Sequence, residues 1–281
     1  MKRITLLFTL LFAGVFSYAQ VNTPAASPFS KTEQMVGLTE VVVEYSRPSM
    51  KGRTIFGDLV PYNKLWRTGA NARTKITFGN DVTVHGKSLS KGTYALFTIP
   101  GENNWEIIFY TEHQGNGAPR ELDESKIAAR FSVTPVATTM ARETFTIEVG
   151  SLSNSGATLF MFWDKVMVPI NFTVPTDQQV MASIDKAMAG PSAMDYYAAA
   201  VYYYDEGKDM AKAKAWIDKA MAGNDNPPFW QLRQKSLIYA KAGDKSGAIE
   251  AARKSLAAAQ KAGNDDYVKM NQDSLKEWGA N

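Results

Sequence analysis

LFMFWDKVMVPINFTVPTDQQVMASIDKAMAG, residues 159–190, changes its pattern midway, and that change decides the fold. Up to Val174 the apolar residues fall into two runs, Leu159-Met161-Trp163 and Val166-Val168-Ile170-Phe172, with the two-residue period of strands. Both are near-continuously apolar, as strands at the centre of a sheet are. Beyond Pro175 this period stops. Thr176 with Gln179 three residues on has the form of a capping box, and the strong helix formers Ala, Lys, Gln and Met dominate from there. A strand-built half therefore precedes residue 176, and a helix-built half follows it.

Upstream of the junction the strand period extends back to about Leu38. Val41, Val43 and Tyr45 share one face, and Ile76 shares another with Phe78. Val82 and Val84 follow across Gly79-Asn80-Asp81, a hairpin signal. Tyr94-Leu96-Thr98 and Trp105-Ile107-Phe109 flank a turn at residues 100–104, and Phe131-Val133 and Phe145-Ile147-Val149 come later. That makes about nine short strands, the pattern of an antiparallel β-sandwich or jelly-roll-like domain. No long helix-period segment intervenes, which argues against a parallel sheet built from βαβ crossovers.

Downstream, the heptapeptide IDKAMAG occurs at residues 184–190 and again at 217–223, 33 residues apart. A second register of 35 residues sets Tyr204, Asp209, Ala213 and Ala220 against Tyr239, Asp244, Ala248 and Ser255. Helices are predicted near residues 177–189, 191–206, 209–222, 227–242, 245–262 and 265–278, with Pro191 and Pro227-Pro228 at first-turn positions. A tyrosine, a Gly-Asp or Lys-Asp turn and then small residues on the next helix resemble the tetratricopeptide repeat, whose unit is about 34 residues. The resemblance implies roughly two and a half stacked repeats closed by a helix carrying Trp278. A plain helical bundle is the alternative. Either way Trp216, Trp230, Tyr196, Tyr197 and Tyr202 to Tyr204 are read as packing residues, not a cofactor box.

The chain opens with Met1-Lys2-Arg3, an apolar run over residues 4–16, and Ser17-Tyr18-Ala19. This is the basic, apolar, small-residue order of a cleavable secretory signal peptide, so cleavage is expected between Ala19 and Gln20. The run falls short of the roughly 20 apolar residues of a membrane span, and no later stretch reads as one. With no Cys after the cleavage point, a lipid anchor is not expected, and the location is read as periplasmic or secreted. Cys is absent throughout, which removes disulfide scaffolds, Cys-ligated zinc and Cys nucleophiles. Burial alone must then hold the fold, and about 262 residues suffice for one or two ordinary cores. The formal charge of +3 falls by two when Lys2 and Arg3 leave, giving no reason to expect nucleic acid or an anionic membrane as partner. The expected organisation is a signal peptide over residues 1–19, an N-terminal extension over 20–37, a β-sandwich-like domain over 38–175 and helical repeats over 176–281.

The most unusual stretch is YSRPSMKGRTIFGDLVPYNKLWRTGANARTKITF, residues 45–78. It joins the first two predicted strands by a connection of nearly thirty residues, whereas structureless loops beyond about 12–15 residues are uncommon in compact domains and often functional. Arg47, Lys51, Arg53, Lys64, Arg67 and Arg73 face a single acid, Asp58, and Tyr45, Phe56, Tyr62 and Trp66 are interleaved with them. The candidate ligand-binding residues are Arg47, Lys51, Arg53, Trp66, Arg67 and Asn71. Guanidinium groups fork onto carboxylate, phosphate or sulfate, and Trp66 or Tyr62 would offer a flat face to a sugar or aglycone. The competing expectation is structural: arginines that tie a long connection down through backbone carbonyls.

The string Y-S-R-P-x-x-K-G-R-x-I-F-G-x-L-V-P-Y-x-x-x-W-R-T-G-A-N-A, followed by G-K-x-L-x-x-G-T-Y-x-L-F-T-I-P and N-x-W-x-I-I-F, resembles domain of unknown function 2911. The likeness covers about residues 27–175. It implies an exported, bacterial, mostly β protein, sometimes followed by tetratricopeptide-type repeats, and it implies no activity. Residues 112–127 depart from the pattern, being rich in Gly and acids without a clear aromatic.

His85 and His113 lie 28 residues apart without metal-ligand spacing, so neither a metal nor a cofactor is expected. Ser88-Leu89-Ser90-Lys91 matches the S-x-x-K string of penicillin-recognising enzymes but sits in a turn region, not at a helix start. No nucleophile elbow, P-loop or dinucleotide fingerprint is present. Asp58, Glu106, Asp164 and the Glu121-Asp123-Glu124 cluster leave a carboxylate pair open. The leading expectation is a non-catalytic envelope protein that binds an anionic or carbohydrate ligand on its β domain and a protein partner on its helical repeats. The alternatives are a hydrolase of a glycan or other envelope polymer, and a purely structural envelope protein.

Overall fold

The computed structural model describes residues 23–280; the signal peptide read over residues 1–19 and its cleavage after Ala19 fall outside them. The chain divides into two compact units, Met1–Pro175 and Thr176–Asn281. In the described residues, the first is β apart from one 3-10 turn at Glu124–Lys126, and the second is all α.

Two antiparallel sheets build the β unit. The first holds β1 (Phe29–Val36), β2 (Thr39–Ser46), β3 (Ala70–Phe78), β6 (Gly92–Ile99), β7 (Trp105–Tyr110) and β8 (Ile127–Val133), in the order β1-β2-β3-β6-β7-β8. The second holds β4 (Val82–Val84), β5 (Lys87–Leu89), β9 (Val136–Gly150) and β10 (Gly156–Thr173), in the order β5-β4-β10-β9. Alternation sends every second side chain inward. Thus Val41, Val43 and Tyr45 of β2, Trp105, Ile107 and Phe109 of β7, and Leu159, Met161, Trp163 and Val168 of β10 enter one shared core. Each such side chain contributes about 1.5–3 kcal/mol when fully buried. The outer face of the first sheet is covered as well: Ala95, Phe97, Ile108 and Tyr110 form a smaller cluster under Leu65, Ala118 and Leu122. Residues 112–127 supply part of that cover.

Strand β1 lies inside the stretch read from sequence as an N-terminal extension. It pairs with β2 along its whole length, from Phe29 opposite Ser46 to Val36 opposite Thr39. Its sequence FSKTEQMV shows little apolar period because, in an edge strand, only Val36 is fully buried. Gly79-Asn80-Asp81 does not close a hairpin. β3 already has β2 and β6 on its two sides, so the three residues carry the chain into the second sheet, where β4 pairs with β10 and β5. The two apolar runs of residues 159–172 are one strand, β10, between β4 and β9. Asp164, at φ 51°, sits where the β9–β10 register shifts, and this bulge bends the strand without ending it.

The second unit holds α1 (Thr176–Ala187), α2 (Ala193–Asp205), α3 (Met210–Met221), α4 (Phe229–Lys241), α5 (Lys245–Ala262) and α6 (Asp265–Glu277). α2 packs on α3, α4 on α5, and α5 on α6. Equivalent roles recur at a spacing of 35 residues. Asp209 caps α3 by accepting from Lys212 N at 3.0 Å, and Asp244 caps α5 by accepting from Gly247 N at 2.9 Å. Ala213 and Ala248 are both fully buried. Ile184 and Ile217, from the two heptapeptide copies, are buried too. Gly247 permits the close approach of α4 and α5: a Cβ there would lie 2.2 Å from the Tyr239 ring.

Candidate functional site

The long connection between β2 and β3 is ordered because it is bonded to both sheets. Its first part runs along the free edge of β9. Phe145 N donates to Pro48 O at 2.8 Å, Met50 N donates to Glu143 O at 2.8 Å, and the hydroxyls of Ser49 and Thr144 meet at 2.9 Å. Tyr45 reaches the same strand, its phenol oxygen accepting from Ile147 N at 2.8 Å. The middle part is anchored by Ile55 and Val60, both buried, with Val60 N donating to Ile55 O at 2.8 Å. The last part exchanges hydrogen bonds with β6, Trp66 N to Thr98 O at 2.8 Å and Thr98 N to Trp66 O at 3.0 Å. Pairing a connection to two sheets satisfies its backbone groups and covers an exposed sheet edge.

Where these parts converge, the backbone is strained. Thr68, a β-branched residue, has φ 58°, and Gly69 at 145° and Asn71 at 56° follow it. A β-branched residue in the left-handed region costs on the order of 1–3 kcal/mol and persists only where its surroundings hold it. Here Thr68 is fully buried, its hydroxyl meets that of Thr98 at 3.1 Å, and its carbonyl accepts from the Thr74 hydroxyl at 2.5 Å. Gly69 has no room for a side chain, since a Cβ would lie 3.0 Å from both Ser46 O and Thr74 Oγ1. Trp66, Arg67, Gly69 and Asn71 of this turn line a cleft of about 460 Å³.

Lys51 and Arg53 line the same cleft, with Leu59, Val60 and Trp163. Trp66 lies nearly parallel to Trp163, ring centres 5.8 Å apart and planes inclined by 18°, and both meet Phe145 and Phe56 at steeper angles. Trp163 and Phe145 belong to the core, and Trp66 and Phe56 pack against it. Three cationic side chains, and no acidic one, line the cleft. The Arg67 Nε is shut off from solvent without a hydrogen-bond partner. An unpaired buried donor costs about 1–3 kcal/mol, more when it carries charge.

The cations named from sequence therefore separate into two kinds. Arg47 is a tie: its Nε donates to Phe145 O at 3.0 Å and its Nη2 to Thr146 Oγ1 at 2.7 Å, and it does not line the cleft. Arg53 does both, bonding Met50 O at 2.9 Å and Ser49 O at 2.6 Å while lining the cleft. Arg73 is buried, bonded to Glu112 O at 2.6 Å and stacked over Phe97. Asn71 lines the cleft and donates to Ser27 O at 3.2 Å. Sequence reasoning missed Trp163 as a site residue, along with Leu59 and Val60. Trp163 carries no local signal of a site, since it joins the cleft only when the two sheets face each other.

Elsewhere, Glu106 and Glu124 pair with Arg130, each at 3.0 Å. Lys126 and Arg73 flank Glu112 and hold its carboxyl below the usual range. Ser88 lies in β5, not at a helix start. The His85 ring stacks on Phe131 at 4.7 Å. Among the described residues no cluster of three or more His, Asp or Glu side chains could hold a metal ion, and no helix is long and apolar enough to cross a membrane.

Residues 27–172 match the model of the family described as Protein of unknown function (DUF2911), and the chain belongs to that family. No curated protein and no solved structure matches the chain.

Proposed function

We propose that the protein is an exported, non-catalytic envelope protein whose β unit binds an anionic ligand in the cleft between Lys51, Arg67 and Trp66. The supporting observation is the charge of that cleft: three cationic side chains line it and no acidic one does, while the Glu143 carboxylate accepts from the backbone N of Lys51 at 2.8 Å. Clustered cations repel one another unless an anion or water intervenes, and Arg67 has a buried Nε that nothing in the protein satisfies. The volume, about 460 Å³, falls within the range of small-ligand sites. No carboxylate lines the cleft, so the acid–base pair of a glycan hydrolase is not assembled there.

The helical unit is taken as a tetratricopeptide-like array that receives a protein partner. The paired caps Asp209 and Asp244 and the paired buried alanines support the repeat. A hollow of about 810 Å³ bordered by Leu232, Tyr239, Ala258 and Lys261 offers the concave surface such arrays use. Export through the signal peptide places the mature protein, beginning at Gln20, in the periplasm or outside the cell.

Thermal shift of the mature chain with sulfate, phosphate and citrate at constant ionic strength tests the cleft. Stabilisation that Lys51→Ala and Arg67→Ala each reduce is expected. Equal behaviour of wild type and both variants would overturn it.

A further inference from the structure

The outer edge of β1 is open. Among the described residues β1 ends its sheet, with β2 on one side and no strand on the other. Pro28 O accepts from Arg47 N at 2.9 Å, and from there the register runs unbroken, Phe29 opposite Ser46 to Val36 opposite Thr39. Antiparallel pairing turns the backbone groups of alternate residues to alternate sides. The even residues therefore face β2, and Phe29, Lys31, Glu33 and Met35 turn their N–H and C=O groups outward. Met35 O accepts from the Gln34 side chain at 2.9 Å, a local substitute for a strand partner. Such an edge is a template for another strand.

The side chains of these four residues share the face turned away from the core, since Val36, at an even position, enters it. Phe29 is exposed to 64% and Met35 to 54%, and Phe29 is the only exposed phenylalanine among the described residues. Between them stand Lys31 and Glu33, both exposed and opposite in charge. Phe-Ser-Lys-Thr-Glu-Gln-Met, residues 29–35, is thus complementary to its own reverse about Thr32.

We propose that β1 is a dimerisation edge, pairing antiparallel with β1 of a second copy of this chain about a two-fold axis at Thr32. Lys31 then lies opposite the partner's Glu33, and Phe29 opposite the partner's Met35. Each such pair exchanges two backbone hydrogen bonds. Charge selects this register. An axis one residue earlier sets Lys31 against its own copy, and one residue later sets Glu33 against its own, and like charges directly opposite are destabilising. An axis between two residues would set outward backbone groups against inward ones. The contact is isologous, so it closes at two chains. One strand pair is smaller than a standard interface, so the dimer is weak and depends on concentration.

Sedimentation equilibrium of the mature chain over about a thousandfold range of concentration is the test. A reversible monomer–dimer equilibrium is expected, with no larger species. Lys31→Glu and Glu33→Lys should each weaken the dimer about tenfold or more, because the axis repeats every altered pair. Lys31→Glu combined with Glu33→Lys should restore it, and an equimolar mixture of the two single variants should form heterodimers. Phe29→Ser, which alters no charge, should weaken the dimer as well. All three positions are exposed, and circular dichroism checks that each variant is folded. A chain that stays monomeric throughout the range would overturn the proposal. So would a dimer that the single charge reversals leave unchanged, or one that neither the double exchange nor the mixture restores.

Discussion

Arg47 and Lys51 stand four residues apart in the same basic connection, yet opposite consequences are expected when each is replaced by alanine. Arg47 makes two bonds to β9, at 3.0 Å to Phe145 O and 2.7 Å to Thr146 Oγ1. A hydrogen bond involving a charged group is worth about 1.5–3 kcal/mol net. The site is half-buried, so water partly replaces the lost partners, and Arg47→Ala should cost about 2–3 kcal/mol in all. For a unit of this size each kcal/mol moves the melting temperature by about 2–4 °C, giving a fall of about 5–10 °C. Lys51 is exposed, and its left-handed φ of 50° is no worse for alanine. Lys51→Ala should stay within about 0.5 kcal/mol, the usual range for a surface change, and should show its effect in anion binding instead. Differential scanning calorimetry of the mature chain, with the helical transition as internal reference, separates the two. An Arg47→Ala protein melting within about 1 °C of wild type, or a Lys51→Ala protein destabilised as much as Arg47→Ala, would refute the division into tie and ligand contact.

Replacing Gly247 by alanine should destabilise the helical unit by about 1–3 kcal/mol by overpacking, although alanine ordinarily favours a helix, because the new Cβ meets the Tyr239 ring at 2.2 Å; a raised melting temperature by far-ultraviolet circular dichroism would contradict this. Gly69→Ala should destabilise the β unit, since φ is 145° and both Ser46 O and Thr74 Oγ1 lie 3.0 Å from the added carbon; unchanged urea unfolding would show that the turn is not strained as described. The carboxyls of Asp177, bonded to Lys208 and Tyr202, and of Asp244, bonded to Lys214 and Gly247 N, are held below the ordinary aspartate value of 3.8. Their contribution is complete above that value and is lost as pH falls through the lowered ones, so the urea midpoint of the helical unit should drop as pH falls below about 4, and less steeply in Asp177→Asn.

The alternation of Val41-Val43-Tyr45 and Trp105-Ile107-Phe109 was legible as strand because buried faces repeat every second residue. The helices were legible to within a few residues because Gly207, Gly243 and the aspartate caps punctuate them locally. Pairing was less legible. Gly79-Asn80-Asp81 has the composition of a hairpin turn, and only the occupancy of both sides of β3 decides that it crosses between sheets. β1 escaped notice because an edge strand needs little apolar period. In the cleft, the excess of cations was visible in the sequence. Their separation into ties and free groups was not, since Arg47 finds its partners 98 and 99 residues away. Trp163 joined the site for the same reason, through sheet packing and not through any local motif.

A crystal structure of the mature chain grown with saturating selenate tests the central claim most directly, because the selenium locates the anion by its anomalous signal. The selenate should lie between Lys51 and Arg67, beside Trp66. A cleft left empty while the ligand binds elsewhere would contradict the account.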